Sequence, residues 1–263
     1  MNKPSKEIFD VIIIGAGSVG VPLSLNLAEA GLKVLVLDKE HSIGQGSNKK
    51  AIGGVRATHS DPAKIKVCLR SLDIIRTWQK TYGDDIEWHQ GGYSFVAYQQ
   101  QDENMLKDLV GKQNKLGLNI DYLDRNNLLE IVPDLNPQHL LGGTYSPEDG
   151  YCSPLLFLHA CYRQAINAGA QLHFQEKVIG LLTSQKKITG VRTDRAEYAA
   201  PIVVNAAGAW ANQISSLAGV SVEVHPDSHE AGITEPVKKF LEPMIVDIRP
   251  TAGAKNLYFC QHT

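Results

Sequence analysis

The feature that most constrains the fold is a glycine-rich turn between a short apolar run and a helix pattern. Residues 15–20 read Gly-Ala-Gly-Ser-Val-Gly and fit G-x-G-x-x-G, directly after the β-branched run from Phe9 to Ile14. Such a run predicts a strand buried on both faces of a parallel sheet. Ser18 to Ala30 has helical periodicity and ends at Gly31, so the segment predicts a strand, a tight turn and a helix.

Each residue of this turn has a physical task in a dinucleotide-binding unit. Gly15 permits the tight turn, Gly17 lets the backbone approach a pyrophosphate, and Gly20 lets the helix pack closely on the strand. The pyrophosphate is expected on the free N–H groups at the helix start, around Ser18 and Val19, where the helix dipole favours negative charge. Because the motif stands in the required strand-turn-helix context, we favour a ligand over a bare glycine turn.

A second strand, Lys33 to Leu37, is followed by an acidic residue, Asp38. Asp38 lies 38 − 20 = 18 positions after Gly20, close to the roughly 20 expected for a carboxylate that binds ribose hydroxyls. A carboxylate at this position would repel a 2′-phosphate, which disfavours NADP. FAD and NAD both fit these observations.

Composition excludes several other classes of protein. The 263 residues are 43% hydrophobic and 21% charged with a net charge of -2, which is typical of a globular protein and gives no reason to expect nucleic acid or an acidic membrane surface as partner. The four cysteines form no C-x-x-C pair and have no zinc-like His spacing, so we expect reduced thiols and no metal. The apolar run Val11 to Ile14 is too short for a signal peptide or a membrane span, so a cytoplasmic location is expected.

The pattern of predicted helices and strands changes along the chain. A helix is predicted from the Asp61-Pro62 start signal to about Tyr82. Residues 83–149 are short mixed pieces, with a strand predicted from Tyr93 to Tyr98, a polar helix from Asp102 to Leu116 and a turn-rich segment after it. The predicted strands and helices after them are Pro154 to Ala168, Gln171 to Phe174, Lys177 to Thr183, Ile188 to Arg192, Ile202 to Asn205 and Trp210 to Ala218. We therefore expect two interleaved domains, 1–82 with 150–219 and 83–149 with 220–263.

Three further segments resemble the D-amino acid oxidase / sarcosine oxidase superfamily of FAD-dependent oxidoreductases. They are the loop from Gly46 to Arg56 (Gly-Ser-Asn-Lys-Lys-Ala-Ile-Gly-Gly-Val-Arg), the triplet Asp149-Gly150-Tyr151 before a helix, and the segment from Pro201 to Trp210 (Pro-Ile-Val-Val-Asn-Ala-Ala-Gly-Ala-Trp). The resemblance includes glycine oxidase-like members and is greatest to sarcosine oxidase β-subunit-like proteins. It implies FAD rather than NAD. The implied fold is α/β, with an FAD-binding Rossmann-like domain and an interleaved α+β substrate domain on a mostly antiparallel sheet.

The resemblance also implies which further residues hold the cofactor. In the family, the loop after the second strand wraps the pyrophosphate and ribityl chain, and backbone groups at the Val178 position hold the adenine. The residues carried over in this way, besides Asp38 and the first turn, are Lys39, Gly46, Ser47, Asn48, Lys50, Ala51, Ile52, Gly53, Val178, Ala206, Ala207, Gly208 and Trp210. The Ala206-Ala207-Gly208 turn needs small residues because backbone must approach the cofactor.

The implied reaction is oxidation of the C–N bond of an amino acid or N-alkyl glycine of the sarcosine, glycine, proline or D-amino acid type. Tyr258 resembles the family tyrosine that faces the substrate, and Arg56 is placed near the flavin or the substrate, with a surface salt bridge as the alternative. Two other hypotheses stay open: a hydroxy-acid or glycerol-phosphate dehydrogenase, and a non-catalytic flavin-binding chain that needs a partner subunit. The electron acceptor is oxygen, a quinone or an electron-transfer protein.

Family members extend well past the position that matches Thr263, so the sequence is identified as a C-terminally truncated member. The residue that grips the substrate carboxylate is expected beyond this point.

Overall fold

The computed structural model describes residues 7–228, 230–250 and 256–261. The chain forms two compact units, each built from two stretches of sequence. The first is Met1–Ile52 with Pro154–Ala231, and the second is Gly53–Ser153 with Gly232–Thr263. These bounds differ from the expected ones mainly because the helix Pro62–Tyr82 lies in the second unit, where its residue Leu72 is buried in that unit's core.

The elements are short and follow one another closely. The strands are β1 (Val11–Ile14), β2 (Val34–Leu37), β3 (Gly54–Val55), β4 (Tyr93–Ala97), β5 (Asp121–Asp124), β6 (Gly142–Tyr145), β7 (Gly150–Tyr151), β8 (Gln171–His173), β9 (Val178–Ser184), β10 (Lys187–Thr193), β11 (Glu197–Ala199), β12 (Ile202–Asn205), β13 (Met244–Asp247) and β14 (Leu257–Phe259). The α-helices are α1 (Gly20–Glu29), α2 (Pro62–Tyr82), α3 (Gln100–Asn114), α4 (Arg125–Ile131), α5 (Pro154–Asn167) and α6 (Ala211–Ser216). Single 3₁₀ turns lie at Asn48–Lys50 and Gly208–Trp210.

A four-stranded parallel sheet, in the order β12-β1-β2-β8, lies at the centre of the first unit. β1 and β2 are buried along their whole length, as their apolar sequences predict. α1 packs against α5. An antiparallel sheet in the order β11-β10-β9 contributes Val178 and Val191 to the core that also contains Ile12 and Leu35.

The second unit contains a five-stranded sheet in the order β14-β13-β4-β6-β5. β13 and β4 are parallel, and the other neighbours are antiparallel, so the sheet is mostly antiparallel as expected. A separate antiparallel pair joins β3 to β7. One face of the large sheet packs Val96 and Ile245 against Leu128 of α4.

Local signals place α2 where the sequence predicts it. The Asp61 carboxylate accepts a hydrogen bond of 2.8 Å from the Lys64 amide, and Pro62 occupies the first turn. Gly83 ends the helix in a left-handed conformation with φ of 80°. A side-chain N-cap, an early proline and a C-terminal glycine are the signals that start and stop helices.

Two classes of site find no support in the part of the chain described here. No group of His, Cys, Asp or Glu side chains among these residues is arranged to hold a metal ion. Nor does any helix within the described ranges combine the length and apolarity needed to cross a membrane.

Candidate functional site

The three fingerprint glycines of the first unit meet different surroundings. Gly15 has φ of 112°, and a Cβ there would lie 2.5 Å from the Ala206 carbonyl oxygen. A Cβ on Gly20 would lie 1.9 Å from the Gly15 carbonyl oxygen, whereas a Cβ on Gly17 would meet nothing within 4 Å. The fold itself therefore requires glycine at positions 15 and 20, while position 17 borders open space that a ligand can occupy.

The start of α1 presents its backbone amides without a side-chain cap. Val19, at the N-cap position, makes no capping side-chain hydrogen bond, and the first turn carries no acidic residue. Ser18 and Val19 are exposed. Amide groups at an uncapped helix start bind anions, because the helix dipole places partial positive charge there. This end of α1 fits a pyrophosphate.

Asp38 lies at the carboxyl end of β2, beside the glycine turn. Its Oδ2 accepts a hydrogen bond of 2.6 Å from the Ala16 amide, and its Oδ1 accepts one of 2.9 Å from the Glu40 amide. An ionised carboxylate accepts about four hydrogen bonds, so the same group retains acceptor capacity for ribose hydroxyls. Asp38 thus ties two segments of the cradle together and still fits its predicted role.

The turn after β12 is held beside the first turn by both its backbone and its asparagine. The Ala206 amide donates to the Ile14 carbonyl at 2.9 Å. The Asn205 side chain accepts from the Ala207 amide at 3.2 Å and donates to the Ala211 carbonyl at 2.8 Å. Gly208 has φ of 52°, which glycine adopts most readily. The predicted residues Ala206, Ala207 and Gly208 therefore lie at the same edge of the sheet as Gly15.

Two predicted residues that follow β2, Lys39 and Gly46, lie beside the ring of a third, Trp210. The Lys39 Nζ lies 3.8 Å from the centroid of the Trp210 ring, and a Cβ on Gly46 would lie 3.8 Å from the same ring. Trp210 is 39% exposed. A cation over an aromatic ring is a favourable contact. This contact joins the segment after β2 to the segment after β12, and it places a positive charge at this edge of the sheet.

The loop between β2 and β3 carries the next predicted residues. The Asn48 amide group donates to the Pro154 carbonyl at 3.1 Å, which ties the 3₁₀ turn Asn48–Lys50 to the start of α5. Ser47, Lys50 and Ala51 are exposed, and Ile52 is half-buried. Gly53 belongs to the second unit, with φ of 85°.

Val178 begins β9, and its side chain is buried in the core with Ile12 and Leu37. Only its backbone is therefore available to a ligand, which agrees with the backbone role expected for adenine. Together the open Gly17, the uncapped helix, the Asp38 carboxylate and the Lys39 cation fit a dinucleotide such as FAD.

In the second unit, the Arg56 side chain lies over two aromatic rings of β4. Its guanidinium carbon is 5.6 Å from the Tyr93 ring centroid and 5.2 Å from that of Phe95. Tyr93 and Phe95 are two residues apart on one strand, so they share a face of the sheet. Among the described residues no carboxylate lies within ion-pair distance of Arg56, so the predicted surface salt bridge is not formed there.

Tyr258 lies on the same face of the sheet as these two rings. The pairing register places it opposite Val246, which is opposite Phe95. Tyr258 is 46% exposed. Burial raises the pKa of Tyr93 to about 12, although the Arg56 cation opposes the rise, so Tyr93 is a neutral phenol at neutral pH. Both predicted catalytic residues therefore belong to one aromatic surface of the second unit.

Cys260 directly follows β14, the strand that carries Tyr258. Burial raises the pKa of the Cys260 thiol. A raised pKa disfavours the thiolate, which is the reactive form of cysteine.

Sequence reasoning did not assign a site role to Tyr93, Phe95 or Asp149. The first two follow from the predicted strand, since alternation along Tyr93 to Tyr98 places them on one face. Asp149 is fully buried, and it accepts a hydrogen bond of 2.9 Å from the Ala57 amide and one of 2.5 Å from the Thr58 hydroxyl. No local signal reveals that contact, because Asp149 and Ala57 are far apart in sequence.

Comparison with known proteins gives a consistent picture. The family model "DAO: FAD dependent oxidoreductase" matches residues 10–262. The chain is 26% identical over 254 residues to mitochondrial dimethylglycine dehydrogenase of Mus musculus, covering 96% of this chain and 29% of that protein. It is 25% identical over 243 residues to mitochondrial sarcosine dehydrogenase of Mus musculus, covering 90% of this chain and 26% of that protein.

A solved structure is similar over a larger share of its own length. The crystal structure of L-proline dehydrogenase from P. horikoshii superposes with a TM-score of 0.84 at 28% identity. The match covers 96% of this chain and 69% of that chain. The chain thus spans less than a third of the two curated dehydrogenases but most of the length of this solved relative.

Proposed function

The chain belongs to the DAO family of FAD-dependent oxidoreductases, and on that premise we propose that it oxidises the C–N bond of an amino acid or N-alkyl glycine. Its cofactor is FAD, and the cradle of the first unit fits that cofactor. When bound, FAD supplies the acceptor for the hydride that leaves the carbon beside the amine. The protein binds and orients the substrate and excludes water.

The observation that carries the proposal is the Arg56 guanidinium, which lies on an aromatic surface and forms no ion pair with any residue that the structure describes. Arginine binds carboxylates through two parallel N–H donors, and such charge-assisted bonds are stronger than neutral ones. A guanidinium that had already paired with an acid would have these donors occupied. Among the described residues Arg56 contacts the Tyr93 and Phe95 rings instead, so its donors can receive a substrate carboxylate. This proposal gives Arg56 a role that the family resemblance had placed on a residue beyond Thr263.

The tyrosines give this surface its polar groups. Tyr93 is a neutral phenol, and the half-exposed Tyr258 hydroxyl is available to hydrogen-bond the substrate amine or carboxylate. The rings themselves provide an apolar wall for a methyl group or a small ring on the substrate nitrogen. An N-alkylated amino acid such as sarcosine, dimethylglycine or proline has this combination of one carboxylate and one apolar amine substituent.

Proline and the N-methyl glycines are also named by relatives: two are called dimethylglycine and sarcosine dehydrogenase, and a third L-proline dehydrogenase. This agreement supports an amino-acid substrate, with N-alkylated amino acids among the candidates. The product would be an imine, which water hydrolyses to an aldehyde and an amine, or to a keto acid where the substrate nitrogen is primary.

Anaerobic titration of the FAD-loaded chain tests the proposal. We expect sarcosine, dimethylglycine or L-proline to bleach the oxidised flavin spectrum. Dimethylamine and pyrrolidine, which lack only the carboxylate of sarcosine and proline, should leave it unchanged. Bleaching by lactate or glycerol 3-phosphate alone would instead support the hydroxy-acid or glycerol-phosphate alternative.

A yellow chain that no amine bleaches, and that bleaches once a partner chain is added, would identify a flavin-binding subunit. Reoxidation of the bleached chain by oxygen, a quinone or an electron-transfer protein then identifies the electron acceptor.

A further inference from the structure

Asp149 is a fully buried carboxylate whose hydrogen bonds converge on the segment that carries Arg56. Its Oδ1 accepts from the Ala57 amide at 2.9 Å, and its Oδ2 accepts from the Thr58 hydroxyl at 2.5 Å. Both donors on the Arg56 side follow that residue directly, so the carboxylate fixes the backbone immediately after it.

The backbone before Arg56 is fixed by the pairing of β3 with β7, the strand that directly follows Asp149. β3 pairs with β7 through Gly54 opposite Tyr151 and Val55 opposite Gly150. Continuing this antiparallel register places Arg56 opposite Asp149. Arg56 therefore has a β-ladder on one side and the Asp149 carboxylate on the other.

Asp149 also fixes the surface that Arg56 faces. Its carbonyl accepts a hydrogen bond of 2.9 Å from the Gly92 amide, which directly precedes Tyr93. Tyr93 in turn exchanges two backbone hydrogen bonds of 3.0 Å with Ser146. One residue thus holds both the arginine segment and the start of the strand that carries the aromatic rings.

The carboxylate is near Arg56 but forms no ion pair with it. Its oxygens accept hydrogen bonds from Ala57 and Thr58, so the negative charge acts on the guanidinium through space without occupying its donors. Burying a charge is costly unless it is well hydrogen-bonded. A buried acid at this place therefore needs an explanation beyond packing.

We propose that Asp149 is a positioning residue for Arg56: it orders the guanidinium against Tyr93 and leaves the guanidinium N–H groups free for a substrate carboxylate. This inference rests on the proposed function, because it assigns to Arg56 the role of carboxylate grip. It adds a residue that touches neither substrate nor cofactor.

A double-mutant cycle on the FAD-loaded chain tests the proposal, with calorimetric binding of methoxyacetate as the readout. Methoxyacetate has the shape and carboxylate of sarcosine but no oxidisable amine, and methoxyacetamide is its uncharged control. We expect Arg56→Met to abolish the preference for the carboxylate. We expect Asp149→Asn to weaken methoxyacetate binding by about tenfold when Arg56 is present, because the Arg56 guanidinium is no longer held in position to make its charge-assisted hydrogen bonds. In the Arg56→Met background the same change should weaken binding by less than about twofold.

The two hypotheses fail in different ways. An unchanged preference in Arg56→Met would overturn the assigned grip, whatever Asp149 does. Equal weakening by Asp149→Asn in both backgrounds, or no weakening in either, would overturn the positioning role while leaving Arg56 as the grip.

Two further variants keep the test decisive. If Asp149→Asn does not retain FAD, Thr58→Val replaces it, because this variant removes a single donor to the carboxylate. We expect Thr58→Val to lower methoxyacetate affinity by less than Asp149→Asn would, and only when Arg56 is present. An equal loss in the Arg56→Met background, or no loss in either background, contradicts the proposal. Asp121→Asn makes the same change of charge at an exposed residue of β5 and should leave the affinity unaltered.

Discussion

A hydrogen bond of 2.6 Å joins the amide of Ala16 to the carboxylate of Asp38. It connects the turn after β1 to the end of β2, so the part of the cradle expected to hold pyrophosphate is fixed to the residue expected to hold ribose. Asp38 therefore has a structural task before any ligand binds.

Replacement of Asp38 tests this double role. We expect Asp38→Ala to lower the free energy of unfolding of the FAD-free chain by about 1–3 kcal/mol, because the Ala16 amide loses a charged acceptor. FAD affinity should fall as well. Chemical denaturation of the FAD-free chain and FAD titration measure the two effects separately, and unchanged stability with weakened FAD binding would contradict the structural part.

Alanine at two of the fingerprint glycines separates ligand binding from folding. In Gly17→Ala the new Cβ meets no protein atom within 4 Å, so we expect a change in stability within about 0.5 kcal/mol and an FAD affinity lowered by the blocked approach. In Gly20→Ala the Cβ would lie 1.9 Å from the Gly15 carbonyl oxygen, and we expect a loss of about 3 kcal/mol or more. Thermal unfolding of both FAD-free variants checks this, and similar melting temperatures would refute it.

Arg56 is expected to control substrate affinity more than turnover of bound substrate. Arg56→Lys keeps the charge but loses the planar pair of donors, so KM for the amino-acid substrate should rise by about tenfold, and further in Arg56→Met. Arg70→Met, at an exposed position of α2, is the matched control. Steady-state kinetics decides the matter: a KM in Arg56→Met equal to that of the control removes Arg56 from the binding site.

The buried Asp149 predicts a pH dependence of stability. Burial raises the pKa of this carboxyl above its usual 3.8, so the folded state binds the proton more tightly than the unfolded state. The sign follows from linkage: the stabilising contribution is fully present below the unfolded pKa and is lost as pH rises through the folded pKa.

Urea denaturation of the wild type and Asp149→Asn at a series of pH values above 4 measures this contribution. The advantage of the wild type over the variant should shrink as pH rises and then level off. A difference that grows with pH would show that the hydrogen bonds to Asp149 outweigh its burial.

Features set by neighbouring residues were predictable from sequence. The fingerprint turn, the strand Val11–Ile14 and the helix Pro62–Tyr82 follow from apolar runs, glycines and a capping aspartate. The contact between Arg56 and Tyr93 was not, although each residue lies in a segment that the sequence singled out. Their approach depends on the pairing of β3 with β7 and on Asp149, which local patterns do not encode.

In the second unit, too, strand pairing between distant segments could not be predicted from local patterns. β13 pairs in parallel with β4, so Met244 lies beside Tyr93, and short strands such as these give weak signals when their partners are distant in sequence. The end of the segment 83–149 was expected to be turn-rich, yet it includes β5, α4 and β6. The pattern of β6 is weak because Gly142 and Gly143 are two of its residues, and glycine is uncommon in strands.

The pairing of Val11 with Ile202 has a consequence for how the protein is made. β1 leaves the ribosome long before β12, one of its two neighbours in the sheet. The nascent chain must therefore carry an incomplete, strongly apolar sheet edge until residue 205 has emerged. Long-range parallel pairing of this kind folds slowly and exposes aggregation-prone surface. Chaperone capacity during synthesis, rather than the stability of the finished cradle, is then expected to limit the yield of folded protein.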